Sequence, residues 1–268
     1  MMASRQTVPP PSEPAPRTLT AELRQSFEDN GYLTFRGVVD KSRLAELHRE
    51  LRAEFDKVRA SGRLFSGGGT VSGHLNCFPG STSRFVYEAL QRAGIVDIVQ
   101  GLSKGPLRAP NVGCNMNLPG SGPQNDHVDG YAAAPFLIVN IAAVDTNLTN
   151  GAMEILPRTH RRSYKYWRLL LERPERMRVC MDQGDVVVRS SMLWHRGMPN
   201  RSQKARPMLA LTWEDGGSSL PDPYRAHEGK ITFLPNRYQT DWTGRMRERA
   251  FVAAPRLATA FRVLRSLL

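Results

Sequence analysis

The chain has 268 residues, of which 40% are hydrophobic, 23% charged and 8% aromatic, a globular composition that excludes a fibrous protein and leaves ample material for a buried core. Lys and Arg total 37 against 25 Asp and Glu; the net charge of +12 admits anionic partners, namely phosphate-bearing substrates, carrier proteins or nucleic acid. No apolar run approaches the roughly 18 residues that would span a bilayer, and the cysteines, Cys77, Cys114 and Cys180, form no Cys-x-x-Cys pair, so a reducing, cytoplasmic setting is expected rather than a disulfide framework or a thiolate zinc site.

Residues 1–17, rich in Pro, Ser and Thr and without an apolar h-region, read as a disordered tail before one domain over 18–268. Thr20 caps a helix carrying Leu23 and Phe27, stopped at Gly31; a short strand, Tyr32 to Phe35, follows. Asp40 caps a longer helix whose Leu44, Leu47, Leu51, Phe55 and Val58 recur every three or four residues and should face the core. The segment 61–80, with six glycines, reads as a loop whose backbone can approach a ligand. His74 and Asn76 lie two apart in it, as substrate hydrogen-bonding candidates or as ordinary loop polars.

From about 108 to 218 short apolar runs alternate with turn signals, among them NVGCNMN, PFLIVNIAAV, AMEILP, GDVVVR, MLWH and PMLALTW, the grammar of an antiparallel sandwich or barrel. A basic insert, 158–178, interrupts it, read as a solvated excursion in preference to a substrate-facing lid. Near the end, over about 255–267, Leu257, Phe261, Leu264 and Leu268 fall at helical spacing, giving a packing or interaction helix.

The stretch Asn125-Asp126-His127-Val128-Asp129-Gly130 holds the most chemistry. In an extended segment alternate side chains share a face, so His127 and Asp129 can chelate one cation. His195, closing the MLWH run, supplies a second imidazole. Two imidazoles and one carboxylate form the facial triad of non-haem Fe(II) oxygenases, with three positions left open; a structural zinc site would close with a fourth protein ligand. Arg206 opens the strand Pro207 to Trp213 beside His195, where its planar fork suits the distal carboxylate of a 2-oxoacid. Arg201 is the next candidate for that role.

These segments, with AELRQSFEDNGYLTFRGVVD, NDHVDGY, NGAMEILPRTH and GDVVVRSSMLWHRGMPNRSQKARPML, resemble the phytanoyl-CoA dioxygenase family of Fe(II)/2-oxoglutarate oxygenases over most of residues 18–215. The resemblance implies a mainly β fold with flanking helices, a cupin-like double-stranded β-helix of jelly-roll type. It further implies Fe(II) held by His127, Asp129 and His195, 2-oxoglutarate held by Arg206 with help from Cys114 or Asn115, and O2 as the second cosubstrate. Tyr131 joins His74 and Asn76 as a substrate-binding candidate. Many relatives place a hydroxyl residue two positions after the distal histidine, where this chain has Gly197; His160 reads as structural.

The implied reaction hydroxylates, or otherwise oxidises, an unactivated carbon of a small organic substrate, releasing succinate and carbon dioxide, and tailoring of a natural product is the preferred setting. The carboxylate of Asp129 argues against halogenation, since halogenating relatives lack it. Alternatives are an acyl-CoA or carrier-bound acyl hydroxylase, which the basic insert would suit, a nucleic-acid demethylase, for which no segment concentrates aromatic and basic residues, and a non-catalytic cupin-like metal-binding protein.

Overall fold

The computed structural model describes residues 18–60, 73–130, 132–162, 165–214, 221–234, 242–243, 246, 250 and 253–267. The tail expected over 1–17 and the candidate Tyr131 lie outside them.

The chain opens with α1 (Ala21–Asn30), capped where Thr20 Oγ1 accepts from Leu23 N at 3.3 Å, then β1 (Tyr32–Phe35) and α2 (Lys41–Ala60). Asp40 Oδ1 accepts the N–H of Arg43 at 2.9 Å ahead of α2, which buries Leu44, Leu47, Leu51 and Phe55. Next come β2 (His74–Pro79), α3 (Arg84–Arg92), α4 (Ile95–Leu102) and β3 (Asn111–Asn117). After β4 (Leu137–Ala142) and β5 (Met153–Ile155), α5 (Tyr166–Glu172) precedes β6 (Met177–Val179), β7 (Val186–Ser190), β8 (His195–Arg196) and β9 (Arg206–Trp213). The described chain ends with β10 (Ile231–Phe233) and α6 (Pro255–Leu267).

Seven strands make one antiparallel sheet in the order β1-β7-β4-β9-β3-β2-β10, and β6-β5-β8 make a second. Strand alternation gives the large sheet two different faces. Leu33 and Phe35 of β1, Val139 and Ile141 of β4, Val186 and Val188 of β7 and Leu209 and Leu211 of β9 pack with α2, α3 and α4 in the main core. The other face sends Ala142, Val187 and Met208 against Met153, Ile155, Met177 and Val179 of the small sheet. Two antiparallel sheets facing one another, with helices on the outside of the larger, form the expected cupin-like architecture, although the sheets do not close into one ring.

Three expectations change. The strand core extends beyond 108–218, because β1, β2 and β10 complete the large sheet. His74 to Pro79 form a strand and not part of a loop: the apolar Leu75, Cys77 and Phe78 are buried at spacings that the glycines around them obscure. The stripe on α6 faces outward, with Leu257, Phe261 and Leu264 exposed, while Ala258 is buried and Ser266 Oγ accepts from Trp167 N on α5 at 3.3 Å. Helices α3 and α4 fill 84–102, which the motif reading passes over, and bury Leu90, Ile95, Ile98 and Val99.

Candidate metal centre

His127 and His195 face each other across an antiparallel bridge, each backbone N–H donating to the other's carbonyl at 3.0 Å. Their rings lie 4.3 Å apart between centroids. Asp129 N donates to Ser191 O at 2.9 Å, which sets the carboxylate beside both rings. Nδ1 of His127 donates to Asn125 O at 2.7 Å and Nδ1 of His195 to Leu193 O at 2.9 Å. A carbonyl can only accept, so each Nδ1 holds a proton and each Nε2 presents a lone pair, the tautomer that a metal ligand needs. His127 Nε2 is 3.7 Å from Asp129 Oδ1, His195 Nε2 is 3.3 Å from Asp129 Oδ2, and the donor atoms of the three residues lie within 4.8 Å of one another. Among the described residues this is the group able to hold a metal ion, and it has the two-imidazole, one-carboxylate set of mononuclear non-haem iron sites.

Burial, reinforced by Arg189, pushes the pKa of His195 down to about 3, so its ring is neutral and ready to bind metal. Burial works to raise the pKa of Asp129, but its side chain keeps 31% of its surface, and the paired Arg189 guanidinium, with His195 and His127 close by, holds it well below the usual carboxylate range.

Charges on the outer side of the small sheet brace these residues. Glu154 of β5 and Asp126, the neighbour of His127, share the Arg176 guanidinium at 2.8 to 2.9 Å, and Arg196, the neighbour of His195, donates to Glu154 at 2.7 Å. Both carboxylates are buried and both are paired, so two acids and two arginines tie the segments that bear His127 and His195. Part of the basic insert is therefore structural: Arg176 belongs to this network, and Leu169 of α5 is buried with Leu156 and Trp194.

Arg206 opens β9 opposite Asn117 of β3 and is 3% exposed. Its Nη2 donates to Gly151 O at 3.0 Å, its Nε is buried without a partner, and among the described residues no carboxylate forms an ion pair with it. Burial brings its pKa down to about 10. Gly151, the glycine of the Asn-Gly-Ala motif, has φ 84° and backs onto Asn117 Nδ2, where a Cβ would stand 2.4 Å away, so only glycine can offer that carbonyl. Asn200 fixes the turn between β8 and β9, donating to Asn117 O at 3.0 Å and Lys204 O at 2.8 Å. Arg201, the second clamp candidate, is exposed.

His74 is wholly buried. Its ring meets Asn115 Oδ1 at 3.4 Å and Gly122 O at 3.2 Å, and Asn115 Nδ2 donates to Asn76 Oδ1 at 2.9 Å, so these three side chains form one polar strip across β2 and β3. Burial, with the charge of Arg206, lowers the pKa of His74 to about 4. The strip also accounts for Gly197: a Cβ there would lie 2.4 Å from the His74 ring and 2.8 Å from Gln124 Oε1. The space that a hydroxyl side chain would need is filled by an imidazole. Cys114 points the other way, into the helix-packed core beside Cys77, because it alternates with Asn115 along β3; of the two cosubstrate candidates on that strand, Asn115 is the inward one. His160 lies against α1, its Nε2 meeting Glu28 O at 3.2 Å.

Arg189 escaped the motif reading. It sits on β7 at an inward alternate position of an otherwise apolar run, 4% exposed, with Nη2 donating to Asp129 Oδ2 at 2.7 Å and Nε to Asn140 Oδ1 at 2.8 Å. A charged residue inside VVVRSS was the available signal, since an arginine between three buried valines and two buried serines needs an internal partner.

Fold and centre together define a cupin-like enzyme of the non-haem iron class. Residues 27–208 match the family described as phytanoyl-CoA dioxygenase, which is more than half of the chain, and the protein belongs to that family of Fe(II)- and 2-oxoglutarate-dependent enzymes. Solved structures agree in fold. The chain is similar to the non-haem α-ketoglutarate-dependent carbocyclase SnoK from nogalamycin biosynthesis, at TM-score 0.60 and 17% identity, over 83% of this chain and 100% of that one. It is similar to AviO1 from Streptomyces viridochromogenes at TM-score 0.57 and 18% identity, over 78% and 99%. It is also similar to the epimerase SnoN in complex with Fe3+, α-ketoglutarate and nogalamycin RO, at TM-score 0.55 and 19% identity, over 80% and 94%.

Proposed function

We propose that His127, Asp129 and His195 hold Fe(II), that Arg206 holds the distal carboxylate of 2-oxoglutarate with Asn115 alongside, and that the protein oxidises an unactivated carbon of a small organic molecule in natural-product tailoring. The observation that carries this reading is Arg206: a buried guanidinium that, among the described residues, has an unpartnered Nε and no paired carboxylate, in a fold that also holds a three-donor metal set. Leaving such a charge unpaired is costly, and a dicarboxylate whose other end chelates the metal supplies the missing partner. Iron, 2-oxoglutarate and dioxygen together supply a two-electron oxidation coupled to loss of carbon dioxide. The protein's own task is positional: the Nδ1 donations orient both imidazoles, the Asp126–Arg176–Glu154–Arg196 network fixes the strands beneath them, and Arg206 sets the direction of the cosubstrate.

Natural-product tailoring is supported by the nogalamycin-pathway relatives, whose described reactions, a carbocyclisation and an epimerisation, leave hydroxylation as one outcome among several. A carrier-bound or otherwise anionic substrate suits the exposed Arg158, Arg162 and Lys165 of the basic insert, and a cytoplasmic location suits the reduced cysteines. Among the described residues no helix is long and apolar enough to cross a membrane.

The test is anaerobic: Fe(II) is added to apo-protein, then 2-oxoglutarate, and the visible metal-to-ligand charge-transfer band is followed. The band should appear in the wild type and vanish in Asp129→Ala, after which succinate release screens substrates. Iron binding without the band would defeat the cosubstrate reading and favour a metal-dependent binding protein.

A further inference from the structure

We propose that Arg189 is a second carboxylate-binding arginine, which takes the metal-chelating carboxylate of the 2-oxo acid through the edge of its guanidinium that Asp129 and Asn140 leave free. The inference rests on the functional reading above and adds to it: two arginines, on β7 and β9, would hold the two carboxylates of one cosubstrate.

A guanidinium presents five N–H groups in one plane. Arg189 uses Nε for Asn140 Oδ1, at 2.8 Å, and Nη2 for Asp129 Oδ2, at 2.7 Å. Nη1 is buried and, among the described residues, has no partner, in a side chain that is 5% exposed. The residues opposite Arg189 in register are Ile138 on β4 and Tyr32 on β1, and neither brings a charge. Asp129 is the only carboxylate among the described residues in ion-pair contact with it.

A role confined to steadying Asp129 does not account for the whole arrangement. An amide donor would hold one carboxylate oxygen, and it would not bring two further buried N–H groups into the barrel beside it. Because Nη1 and Nη2 share an edge, an oxygen received by Nη1 lies next to Asp129, hence next to a metal that Asp129 ligates. The chemical class that meets both demands is a carboxylate bound to that same metal. Asp129 then keeps one oxygen for Arg189, and Arg189 links the protein's carboxylate to the ligand's.

The experiment uses full-length protein saturated anaerobically with Fe(II), titrated with 2-oxoglutarate and, separately, with pyruvate, which keeps the chelating 2-oxo acid end and lacks the distal carboxylate. Iron affinity is measured first for every variant. Arg189→Met should weaken both ligands by about tenfold or more, the scale of one lost charge-assisted hydrogen bond. Arg206→Met should weaken 2-oxoglutarate alone and leave pyruvate unchanged. Arg189→Lys, which keeps the charge without the planar fork, should recover part of the loss and stands in if the methionine variant fails to fold.

Affinities within twofold of wild type for both ligands in the Arg189 variants would overturn the proposal. Loss of iron binding itself in both variants would also overturn it, by assigning all of the contribution of Arg189 to orienting Asp129. A wild-type protein that binds iron but gives no band with 2-oxoglutarate would defeat the functional reading and this inference with it, whereas a normal wild-type band with unchanged Arg189 variants would defeat this inference alone.

Discussion

Replacing Arg206 by methionine should make the metal-free protein more stable while removing its response to 2-oxoglutarate. Burial lowers the guanidinium pKa from 12.5 to about 10 in the fold. Each pKa step of one is worth ~1.4 kcal/mol, so at neutral pH, below both values, the folded state carries a penalty of about 3 kcal/mol for the charged form. The sign follows from proton counting: near pH 11 the unfolded chain binds the proton more firmly than the fold does, and the penalty disappears as pH rises through that window. Methionine fills similar volume without the charge; it gives up the charge-assisted hydrogen bond to Gly151 O, a loss of about 2 kcal/mol. The net gain is about 1 kcal/mol, or ~2–4 °C in melting temperature for a chain of this length. Calorimetry of both proteins, with and without Mn(II) and 2-oxoglutarate, checks the result. Wild type should gain about 3 kcal/mol at ligand a hundredfold above its dissociation constant, and the variant should gain only what metal alone provides. A variant that melts lower than wild type without ligand and still rises with 2-oxoglutarate would refute the reasoning, because Arg206 would then have a partner in the fold and no role in the pocket.

Two further outcomes concern the polar strip. His74 takes its proton near pH 4 when folded and near 6.5 when unfolded, so the unfolded chain binds more protons between those values and stability should fall as pH drops through that window. By pH 4.5 the loss amounts to about 2–3 kcal/mol; urea denaturation of metal-free protein at pH 7 and 4.5 should show it in wild type and show it smaller by that amount in His74→Gln, and equal slopes in the two would place the ring in water. Gly197→Ser should cost about 1–3 kcal/mol by overpacking the His74 ring. His74→Ala should relieve that cost in the double variant, and a single variant within about 0.5 kcal/mol of wild type would mean that the ring moves aside freely.

How much of this was legible follows from the kind of signal each residue leaves. His127, Asp129 and His195 are metal-ligating residue types, and the short spacing of His-x-Asp places both on one face of an extended segment before any fold is known. Arg206 follows from its position at the start of an apolar strand. The orientation of Cys114 against Asn115 needed the register of β3 with β9, where a shift of one residue exchanges the faces. His74 was harder, because its strand emerges from a glycine-rich segment and its burial depends on Gly122 and Gly197, both remote in sequence. The outward stripe of α6 shows why packing and interaction helices were not separable: helical spacing marks an apolar face and does not say what covers it. Arg262 determines the docking of α6 through Asp126 O and the Tyr166 ring, contacts that carry no periodic signature.

The pairing of buried charges separates support from chemistry in this protein. Asp126, Glu154, Arg176 and Arg196 are two acids and two bases that satisfy one another, and nothing in their geometry calls for a ligand. Between the two sheets the balance differs: among the described residues Arg189 pairs with one carboxylate, Asp129, Arg206 pairs with none, and each arginine keeps a buried nitrogen without a partner. A fold selected for stability alone would replace such cations with apolar side chains, since desolvating an unpaired charge is among the largest local costs in an interior. Adding a divalent metal makes the excess positive charge larger, so on the proposed reading the ligand that restores the balance is anionic and reaches both the metal and Arg206. A dicarboxylate with a chelating end satisfies those conditions, and the excess charge by itself would reject a neutral cosubstrate. The exposed part of the +12 net charge contributes little to this selection, because exposed charges are screened within about 8–10 Å at physiological salt whereas the two buried arginines are not.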